Sequence, residues 1–512
     1  MAEHMLDNEE FDVVVLGTGL IESIVASDIA AAGKKVLHID KNPYYGGDFS
    51  CFSLSAFLEW AMAHRDSRQV PLVDITVGSG DSRLRFLVGE QVDKDTAESR
   101  KQDLGGRISS ASENDKRHKR AVELLLRISP YMVLDDNDDA AIPGVLETLS
   151  SLADMDRKYS IELAPKLAFC RGTLIDLLID VGIGEYVEFK GVEHNYLVRD
   201  GQIERVPESK EEVFASKSLK LIDKRKLMKL LTSMSDDEEC AQFVADNADD
   251  DFRSFLQSRF RLDGALLDAV LYCVARAKSE SELSVREGCE RIQRYTRSIG
   301  RYGRMAYLCS MYGGGSELAQ SFSRLCAVSG GTYILGESVR SIQRSEDKYS
   351  MELSHGEVSA KHIIMNTTYA PDAQPSNGAT PVSRSFCVVD KPVLGEDTTA
   401  LLSYIGKTGV VSLLYLTQST MAVPRGQCII YAWADGALAD KRELLAEAME
   451  TVCSKCDGAA VLLSVFFETR SLSAPSSDSS PSISYTAAPD SSVDFDTTVQ
   501  HAQAILDAYF SE

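Results

Sequence analysis

The fold is decided near the start of the chain, where residues 11–40 read FDVVVLGTGLIESIVASDIAAAGKKVLHID. The valine-rich run from Phe11 to Leu16 predicts a buried strand, and a glycine turn follows it. Residues 21–32 predict a helix that ends at Gly33, and residues 34–40 predict a second strand. This order is typical of a dinucleotide-binding βαβ unit, so we expect an α/β fold of the Rossmann type.

The glycine turn departs from the dinucleotide fingerprint at its third position. In G-x-G-x-x-G the glycines let the backbone approach a pyrophosphate at the helix N-terminus. Gly17 and Gly19 fill the first two positions, but Glu22 fills the third. Its carboxylate adds bulk and negative charge, and it takes the favourable end of the helix dipole. We favour a relic turn over one that still binds a dinucleotide, and Asp40, where a ribose-binding acid would stand, supports only the fold.

The composition argues against several classes of function. The 512 residues carry a net charge of −23, which disfavours nucleic acid and general adhesion to anionic membranes but leaves room for a local basic patch. Of eleven cysteines only Cys453 and Cys456 form a CxxC, so we expect reduced thiols and no metal. No targeting or membrane-spanning segment is evident, so we expect a cytoplasmic protein that would need another molecule to take it to a membrane.

The rest of the chain divides by pattern. Dense mixed charge between about residues 90 and 120 predicts an exposed, partly disordered insertion. Residues 163–285 are mostly helical in pattern, and strand patterns return after Gly330. We expect a loose linker over residues 471–492, and then a final helix over residues 497–509.

Two separated blocks carry a recognisable pattern. The first joins Leu16–Glu22 to VLHIDKNPYYGG at residues 36–47. The second runs through Gly300–Gly303 and Met311–Leu318, and continues to Leu335. In this order the blocks resemble the family of Rab GDP-dissociation inhibitors and Rab escort proteins, over most of residues 10–370.

The resemblance implies a fold, a partner and the absence of catalysis. It implies a flavin-type α/β domain without flavin, over residues 1–162 and 286–512, and a smaller all-helical domain over residues 163–285. It also implies a protein that binds GDP-bound Rab GTPases, with no cofactor and no catalytic residue.

The resemblance further implies a Rab-binding platform on the first domain. Its members, by match of motif, are Tyr45, Arg301, Glu317, Gln320, Arg324, Thr332, Tyr333 and Ile334. Glu317, Gln320 and Arg324 recur at spacings of three and four, so they share one helix face. That face could be merely solvated, but the flanking blocks favour binding. Ala319 replaces a proline that is usual in the inhibitors, and Gly314-Gly315 is expected to loosen the preceding loop.

Escort proteins differ from the inhibitors in that they also dock the Rab geranylgeranyltransferase α/β heterodimer. The length of the chain, its charged insertion and the helix DKRKLMKLL at residues 223–231 resemble the escort form. Transferase docking is therefore expected at Leu227, Met228, Leu230 and Leu231, although two of these four could be core residues. A Rab GDP-dissociation inhibitor is the first alternative, and a flavin-dependent oxidoreductase is the second.

The geranylgeranyl group on Rab needs shelter from water, because each buried CH₂ contributes about 0.8 kcal/mol. The apolar face of Leu174, Leu177, Leu178 and Val181 is our candidate for the isoprenoid pocket. Packing of this face against neighbouring helices is an equally open interpretation.

Overall fold

The computed structural model describes residues 9–63, 70, 72–80, 82–88, 94–111, 119–131, 140–216, 219–280, 282–345, 348–354, 356–370, 374–375, 381–470, 472–473 and 482–511. Both predicted strands and the predicted helix of the opening βαβ unit are present. The fold combines two large sheets with helices on their faces, smaller sheets of two or three strands, and a separate group of helices. The predicted α/β class is confirmed.

The strands, in chain order, are β1 (Glu9–Leu16), β2 (Val36–Asp40), β3 (Cys51–Phe52), β4 (Val73–Ser79), β5 (Ser82–Val88), β6 (Ile161–Glu162), β7 (Ala168–Phe169), β8 (Phe189–Gly191), β9 (His194–Arg199), β10 (Gln202–Arg205), β11 (Tyr307–Ser310), β12 (Thr332–Leu335), β13 (Ser341–Arg344), β14 (Tyr349–Leu353), β15 (Gly356–Asn366), β16 (Gln374–Pro375), β17 (Val382–Val389), β18 (Ala400–Gly406), β19 (Gly409–Thr417), β20 (Cys428–Asp435), β21 (Val461–Thr469), β22 (Leu472–Ser473) and β23 (Ile483–Thr486).

The α-helices are α1 (Leu20–Ala31), α2 (Leu54–Ala63), α3 (Lys94–Ala111), α4 (Lys119–Ile128), α5 (Ile142–Asp154), α6 (Thr173–Asp180), α7 (Lys210–Ala215), α8 (Leu221–Ser235), α9 (Asp237–Asn247), α10 (Phe252–Phe260), α11 (Gly264–Asp268), α12 (Val285–Ser298), α13 (Gly314–Val328), α14 (Leu438–Cys453) and α15 (Asp496–Ser511). A π-helical turn, Ala269–Val274, continues α11.

The first sheet has the order β12-β2-β1-β15-β14-β13, and β23 also pairs with β15. Strand β1 lies between β2 and β15 and is parallel to both. Val13 and Val15 pack against the layer of α1, α13 and α15, whereas Val14 and Leu16 pack on the opposite face. Because both faces are covered, β1 reads as one continuous apolar run.

The second sheet has nine strands in the order β10-β9-β18-β19-β20-β17-β21-β4-β5. Side chains of α2 to α5 pack on one face of this sheet, and α14 packs on the other. The strands expected near residues 401–417 and 428–433 are β18, β19 and β20.

Helices α7 to α12 form a unit with a core of their own, which we call the helical unit (residues 210–298). Its centre is rich in phenylalanine, and ring contacts of Phe255 with each of the others join Phe243, Phe252 and Phe260. The expected helical span of residues 163–285 is therefore wrong at both ends. Residues 189–205 form β8 to β10, and α6 packs with α15 on the first sheet.

The charged segment near residues 90–120 also differs from expectation. Helix α3 occupies much of it and α4 begins at its end, and Leu104 and Ile108 of α3 are buried in the core beneath the second sheet. Their apolar side chains are sparse among charges, which hides the amphipathic pattern in the sequence. Residues 112–118 lie outside the described residues, and so do residues 471 and 474–481 of the linker expected over 471–492. The described part of that linker includes β22 and β23, so it is not a loose segment throughout.

Candidate protein-binding site

Glu22 fills the turn where a dinucleotide phosphate would approach. Its side chain is 2% exposed, and its Oε1 accepts a hydrogen bond from Asn366 Nδ2 at 3.2 Å and another from the Thr486 hydroxyl. A Cβ placed on Gly19 would collide with the Glu22 carboxylate. Burial raises the pKa of Glu22 to about 7.

Asp40 is also committed to the protein. The backbone N–H and the hydroxyl of Thr18 both donate to Asp40 Oδ2, at 2.8 and 2.6 Å. The Asn42 N–H and the Tyr369 hydroxyl donate to Oδ1 at 2.8 and 3.0 Å. The carboxylate that would bind a ribose in a dinucleotide enzyme therefore fixes the glycine turn here.

The loop after β2 packs directly on this turn. The Gly46 N–H donates to the Thr18 carbonyl at 3.0 Å, and a Cβ on Gly47 would stand 3.4 Å from Gly19 Cα. A cleft of about 350 Å³ remains beside the turn, and carboxylates of Glu22, Asp40 and Asp48 line it.

The two cations that line this cleft, Arg384 and Lys41, are engaged by other groups of the protein. Arg384 is buried and donates to Thr469 Oγ1 and to the carbonyls of Pro489 and Asp490. Lys41 lies over the ring of Tyr369, with 4.8 Å from Nζ to the ring centroid. The residues at the turn do not fit a flavin pyrophosphate, and we assign no chemistry to such a group.

The predicted platform begins where α13 starts. Gly314 has a φ of +53°, and a Cβ there would collide with the Glu162 carboxylate, which accepts a hydrogen bond from the Gly315 N–H. Burial raises the pKa of Glu162 to about 7. The sequence analysis expected the two glycines to loosen a loop. They instead form the first turn of α13, which lies over a buried carboxylate.

The outer face of α13 carries the three polar residues at the predicted spacing. Gln320 and Arg324 are exposed, and Glu317 is half-buried, so that desolvation raises its pKa. Gln320 Nε2 donates to Ser316 Oγ at 3.2 Å. The Arg324 guanidinium lies 4.9 Å from the ring centroid of Tyr186, an exposed side chain that follows α6.

Strand β12 extends the platform along the edge of the first sheet. It carries Thr332, Tyr333 and Ile334, and in the described part of the chain its only strand neighbour is β2. The Tyr333 ring lies 4.6 Å from His38 and 6.3 Å from Tyr45, measured between centroids. The structure therefore brings the predicted Tyr45 and β12 residues together.

Arg301 has a different environment. Its Nη1 donates to Asp176 Oδ1 at 2.8 Å and to the Cys170 carbonyl at 3.0 Å. Arg301 is thus tied to the N-terminal turn of α6, and its guanidinium also lies over Tyr302.

A small cleft borders the platform at Glu317. Its volume is about 280 Å³, and its lining includes Arg157, Tyr312, Glu317 and Gln320. Tyr312 has a φ of +60° and is half exposed. A non-glycine residue in this conformation stores strain, which is common at binding sites.

The predicted isoprenoid face is filled by protein. Leu174 and Leu178 are buried in the core that α6 shares with α1 and α15, and Leu177 and Val181 pack against it. These residues lie outside the helical unit, so their assignment to a helical domain is wrong. Periodicity identified a packed helix face but not the core to which it belongs.

The predicted docking helix, α8, divides its four apolar residues between core and surface. Leu227 and Leu230 are buried in the helical unit, whereas Met228 and Leu231 are partly buried at its margin. The larger exposed apolar side chains lie just before them, at Phe214, Leu221 and Ile222.

A family model described as GDI, GDP dissociation inhibitor, matches residues 7–71 and 146–407. The chain belongs to this family. A Drosophila melanogaster relative named Rab proteins geranylgeranyltransferase component A is 28% identical over 99% of this chain and 90% of its own length. Human component A 1 is 27% identical over 82% of this chain and 77% of its own length.

The chain is also similar to proteins that are named GDP dissociation inhibitors. The probable secretory pathway GDP dissociation inhibitor 1 of Schizosaccharomyces pombe is 27% identical over 76% of this chain and 71% of its own length. The solved structure of a Rab GDI from Plasmodium falciparum has a TM-score of 0.68 at 18% identity, covering 99% of each chain. An oxidoreductase from Methanosarcina mazei has a TM-score of 0.53 at 12% identity, over 97% of this chain and 100% of its own, which is a likeness of fold alone.

Sequence reasoning missed several residues of these surfaces. Glu162, Tyr186 and Tyr312 became visible only through tertiary contacts. Phe214 stands between Val213 and Ala215 in the sequence, and its exposure could not be read from that apolar run. Among the described residues no cluster of His, Cys, Asp or Glu could hold a metal ion. No helix in the described ranges is long and apolar enough to cross a bilayer.

Proposed function

We propose that this family member is a Rab escort protein, a non-catalytic accessory subunit of Rab geranylgeranyltransferase. It binds unprenylated, GDP-bound Rab, presents it to the catalytic heterodimer, and then carries the prenylated product to membranes. The observation that carries the proposal is the platform of α13, β12 and Tyr45, which stands on a dinucleotide-type turn closed by Glu22. The names of the component A relatives, one matched over 99% of this chain, support the escort form.

The platform suits a polar protein partner. Glu317, Gln320 and Arg324 present an acceptor, a mixed amide and a cation on one helix face, and Tyr45 and Tyr333 add amphipathic contact area. Thr332 and Ile334 on the edge strand complete a surface that combines polar groups with an apolar centre. We include Arg301 with this surface as a neighbouring contact.

Transferase docking belongs, in this proposal, to the exposed apolar side chains beside α8. Leu227 and Leu230 hold the helical unit together, so they are unavailable to a partner. Phe214, Leu221 and Ile222 are available, with Met228 and Leu231 at their margin. We place the isoprenoid within the phenylalanine-rich helical unit, because its core offers a large group of apolar side chains to a twenty-carbon chain.

A prenylation assay tests the function directly. A Rab GTPase in its GDP state is incubated with geranylgeranyl diphosphate and the catalytic heterodimer, with and without this chain. We expect rapid prenylation only when the chain is present. Equal prenylation without it would contradict the escort function.

The second candidate is a Rab GDP-dissociation inhibitor that recycles prenylated Rab, which the Schizosaccharomyces pombe relative favours. The two functions differ in substrate. An escort protein binds unprenylated and prenylated Rab and forms a complex with the heterodimer, whereas an inhibitor binds prenylated Rab selectively and leaves the heterodimer free. Titration of labelled Rab in both forms separates them. In either case we expect a cytoplasmic protein with transient membrane contact.

A further inference from the structure

We propose that an exposed surface of the helical unit docks on anionic lipid membranes. The surface consists of Phe214, Lys220, Leu221, Ile222, Arg225 and Lys229, and we call it the Phe214 patch. The inference rests on the proposed function, because it names the surface through which the loaded protein would meet a membrane.

The apolar part of the patch consists of three side chains that are mostly exposed. Phe214 is 65% exposed, Leu221 is 67% exposed and Ile222 is 62% exposed. Lys224 Nζ donates to the Phe214 carbonyl at 2.7 Å, which holds the end of α7 beside the first turns of α8. Three exposed apolar side chains therefore stand together at one corner of the helical unit, in a form suited to shallow insertion at a membrane interface.

The basic part lies on the same side of α8. Ile222, Arg225 and Lys229 are exposed and follow one another at spacings of three and four residues, so they share one helix face. Lys220 is exposed just before the helix. Residues 219–229 contain five cations and one carboxylate, Asp223. Lys226 lies 4.0 Å from Asp223 and pairs with Asp263 at 3.0 Å, so both nearby carboxylates face Lys226, which is not part of the patch.

Charge complementarity identifies the occupant. The whole chain carries −23, so an anionic bilayer repels most of its surface. The Phe214 patch reverses this sign locally, and each Lys or Arg near an anionic membrane contributes about 1 kcal/mol of attraction. A basic surface with exposed Phe, Leu and Ile matches the headgroup and acyl boundary of such a membrane. An uncharged bilayer would not use the cations.

Because transferase and membrane would use the same surface, transferase binding and membrane docking cannot take place at the same time. The proposed transferase docking side chains, Phe214, Leu221 and Ile222, are the ones that would enter the membrane. A bound transferase would cover them, so membrane docking must wait until the transferase leaves.

The full-length chain can be tested by cosedimentation with vesicles. One set contains phosphatidylcholine alone, and the other is an equimolar mixture with phosphatidylserine. We expect binding to the phosphatidylserine vesicles, loss of that binding in high salt, and weak binding to phosphatidylcholine. Wild-type protein that binds neither set, or binds both equally, would overturn the proposal.

Two double variants separate the contributions. Arg225→Gln with Lys229→Gln should weaken binding about 30-fold, since each cation accounts for about fivefold. Phe214→Ser with Ile222→Ser should also weaken it. Matched controls, Arg344→Gln and Phe510→Ser, change exposed residues elsewhere and should bind like the wild type. Equal binding by all four variants would contradict the patch, and thermal unfolding verifies that each variant is folded.

Added transferase heterodimer should lower vesicle binding by the wild-type chain. Unchanged vesicle binding in the presence of saturating transferase would overturn the shared surface. The prenylation assay runs in parallel without vesicles. Stimulated prenylation with failed vesicle binding would refute this inference alone, whereas vesicle binding without stimulated prenylation would refute the escort function.

Discussion

The side-chain amide of Asn366 donates a hydrogen bond to the Glu22 carboxylate at 3.2 Å, and this contact joins the end of β15 to the first turn of α1. Thr486 at the end of β23 binds the same carboxylate oxygen. Glu22 therefore connects three segments of the chain at the point where a related enzyme would hold a phosphate.

The Glu22 contact predicts a pH dependence of stability. The folded-state pKa of Glu22 is about 7, above the ordinary 4.5, so the folded protein retains a proton that the unfolded chain releases. Stability from this group is complete below pH 4.5 and is lost as the pH rises through 7, by up to about 3 kcal/mol. Glu22→Gln should remove this loss.

The measurement is urea unfolding of wild type and Glu22→Gln at pH 5 and pH 8. Glu162 also has a pKa raised to about 7, so the wild-type curve contains both groups and only the difference between the two proteins reports Glu22. A difference that is the same at both pH values would contradict the prediction.

Arg324 is predicted to contribute to Rab affinity through its exposed guanidinium on α13. Arg324→Ala should weaken binding of GDP-bound Rab about tenfold or more, because arginine is enriched among interface residues with large effects. Arg344→Ala, an exposed arginine on the far edge of the same sheet, is the control. Titration calorimetry should show a loss of Rab affinity for Arg324→Ala only. If both variants bind Rab with equal affinity, α13 is not part of the Rab-binding platform.

Gly314 is predicted to be intolerant of a side chain. Gly314→Ala forces a left-handed residue and a collision with the Glu162 carboxylate, so we expect a loss of at least about 2 kcal/mol. Gly106→Ala makes the same chemical change in α3, where a Cβ meets open space, and should stabilise by about 0.5–1 kcal/mol. Thermal unfolding measures both changes. Two shifts of the same sign would contradict the proposed role of Gly314.

Phe214 is predicted to serve the transferase and not Rab. Phe214→Ser should leave the melting temperature and Rab affinity unchanged, since the side chain is mostly exposed and lies outside the platform. It should weaken capture of the catalytic heterodimer. Leu230→Ser, which removes a buried core residue of the same unit, should instead lower the melting temperature. Normal heterodimer capture by Phe214→Ser would refute this docking surface.

The purified chain is predicted to be colourless, and Glu22→Gly should not restore flavin binding. Gly46 and Gly47 still cover the turn in that variant, and Asp40 and Asp48 still line the cleft. A visible absorption spectrum after incubation with flavin adenine dinucleotide measures this. A retained flavin band in either protein would contradict our interpretation of the turn.

The parts of the fold that sequence predicted are those fixed by local pattern. The run from Phe11 to Asp40 specifies its βαβ unit because strand, turn and helix lie within thirty residues of one another. The helix-face spacing of Glu317, Gln320 and Arg324 was predictable for the same reason. The family resemblance then supplied Tyr45 and β12, which local pattern could not connect.

The parts that sequence missed depend on contacts between distant segments. The apolar face of α6 looks the same whether it meets the helical unit or α15, which lies more than three hundred residues away. Phe214 is exposed because no other segment in the described part of the chain packs over it, and a local sequence pattern does not contain that information. Glu162 meets α13 only because β6 brings it beneath Gly314.

The last described segment has a consequence for synthesis. Strand β23 pairs with β15, and α15 packs on α1, so residues 483–511 complete the sheet and the layer formed by the first helix. On the ribosome, α1 emerges long before α15 has been synthesised. The apolar surface of α1 that α15 covers therefore stays without this cover until residues 483–511 have been synthesised, so we expect nascent chains that lack these residues to be prone to aggregation.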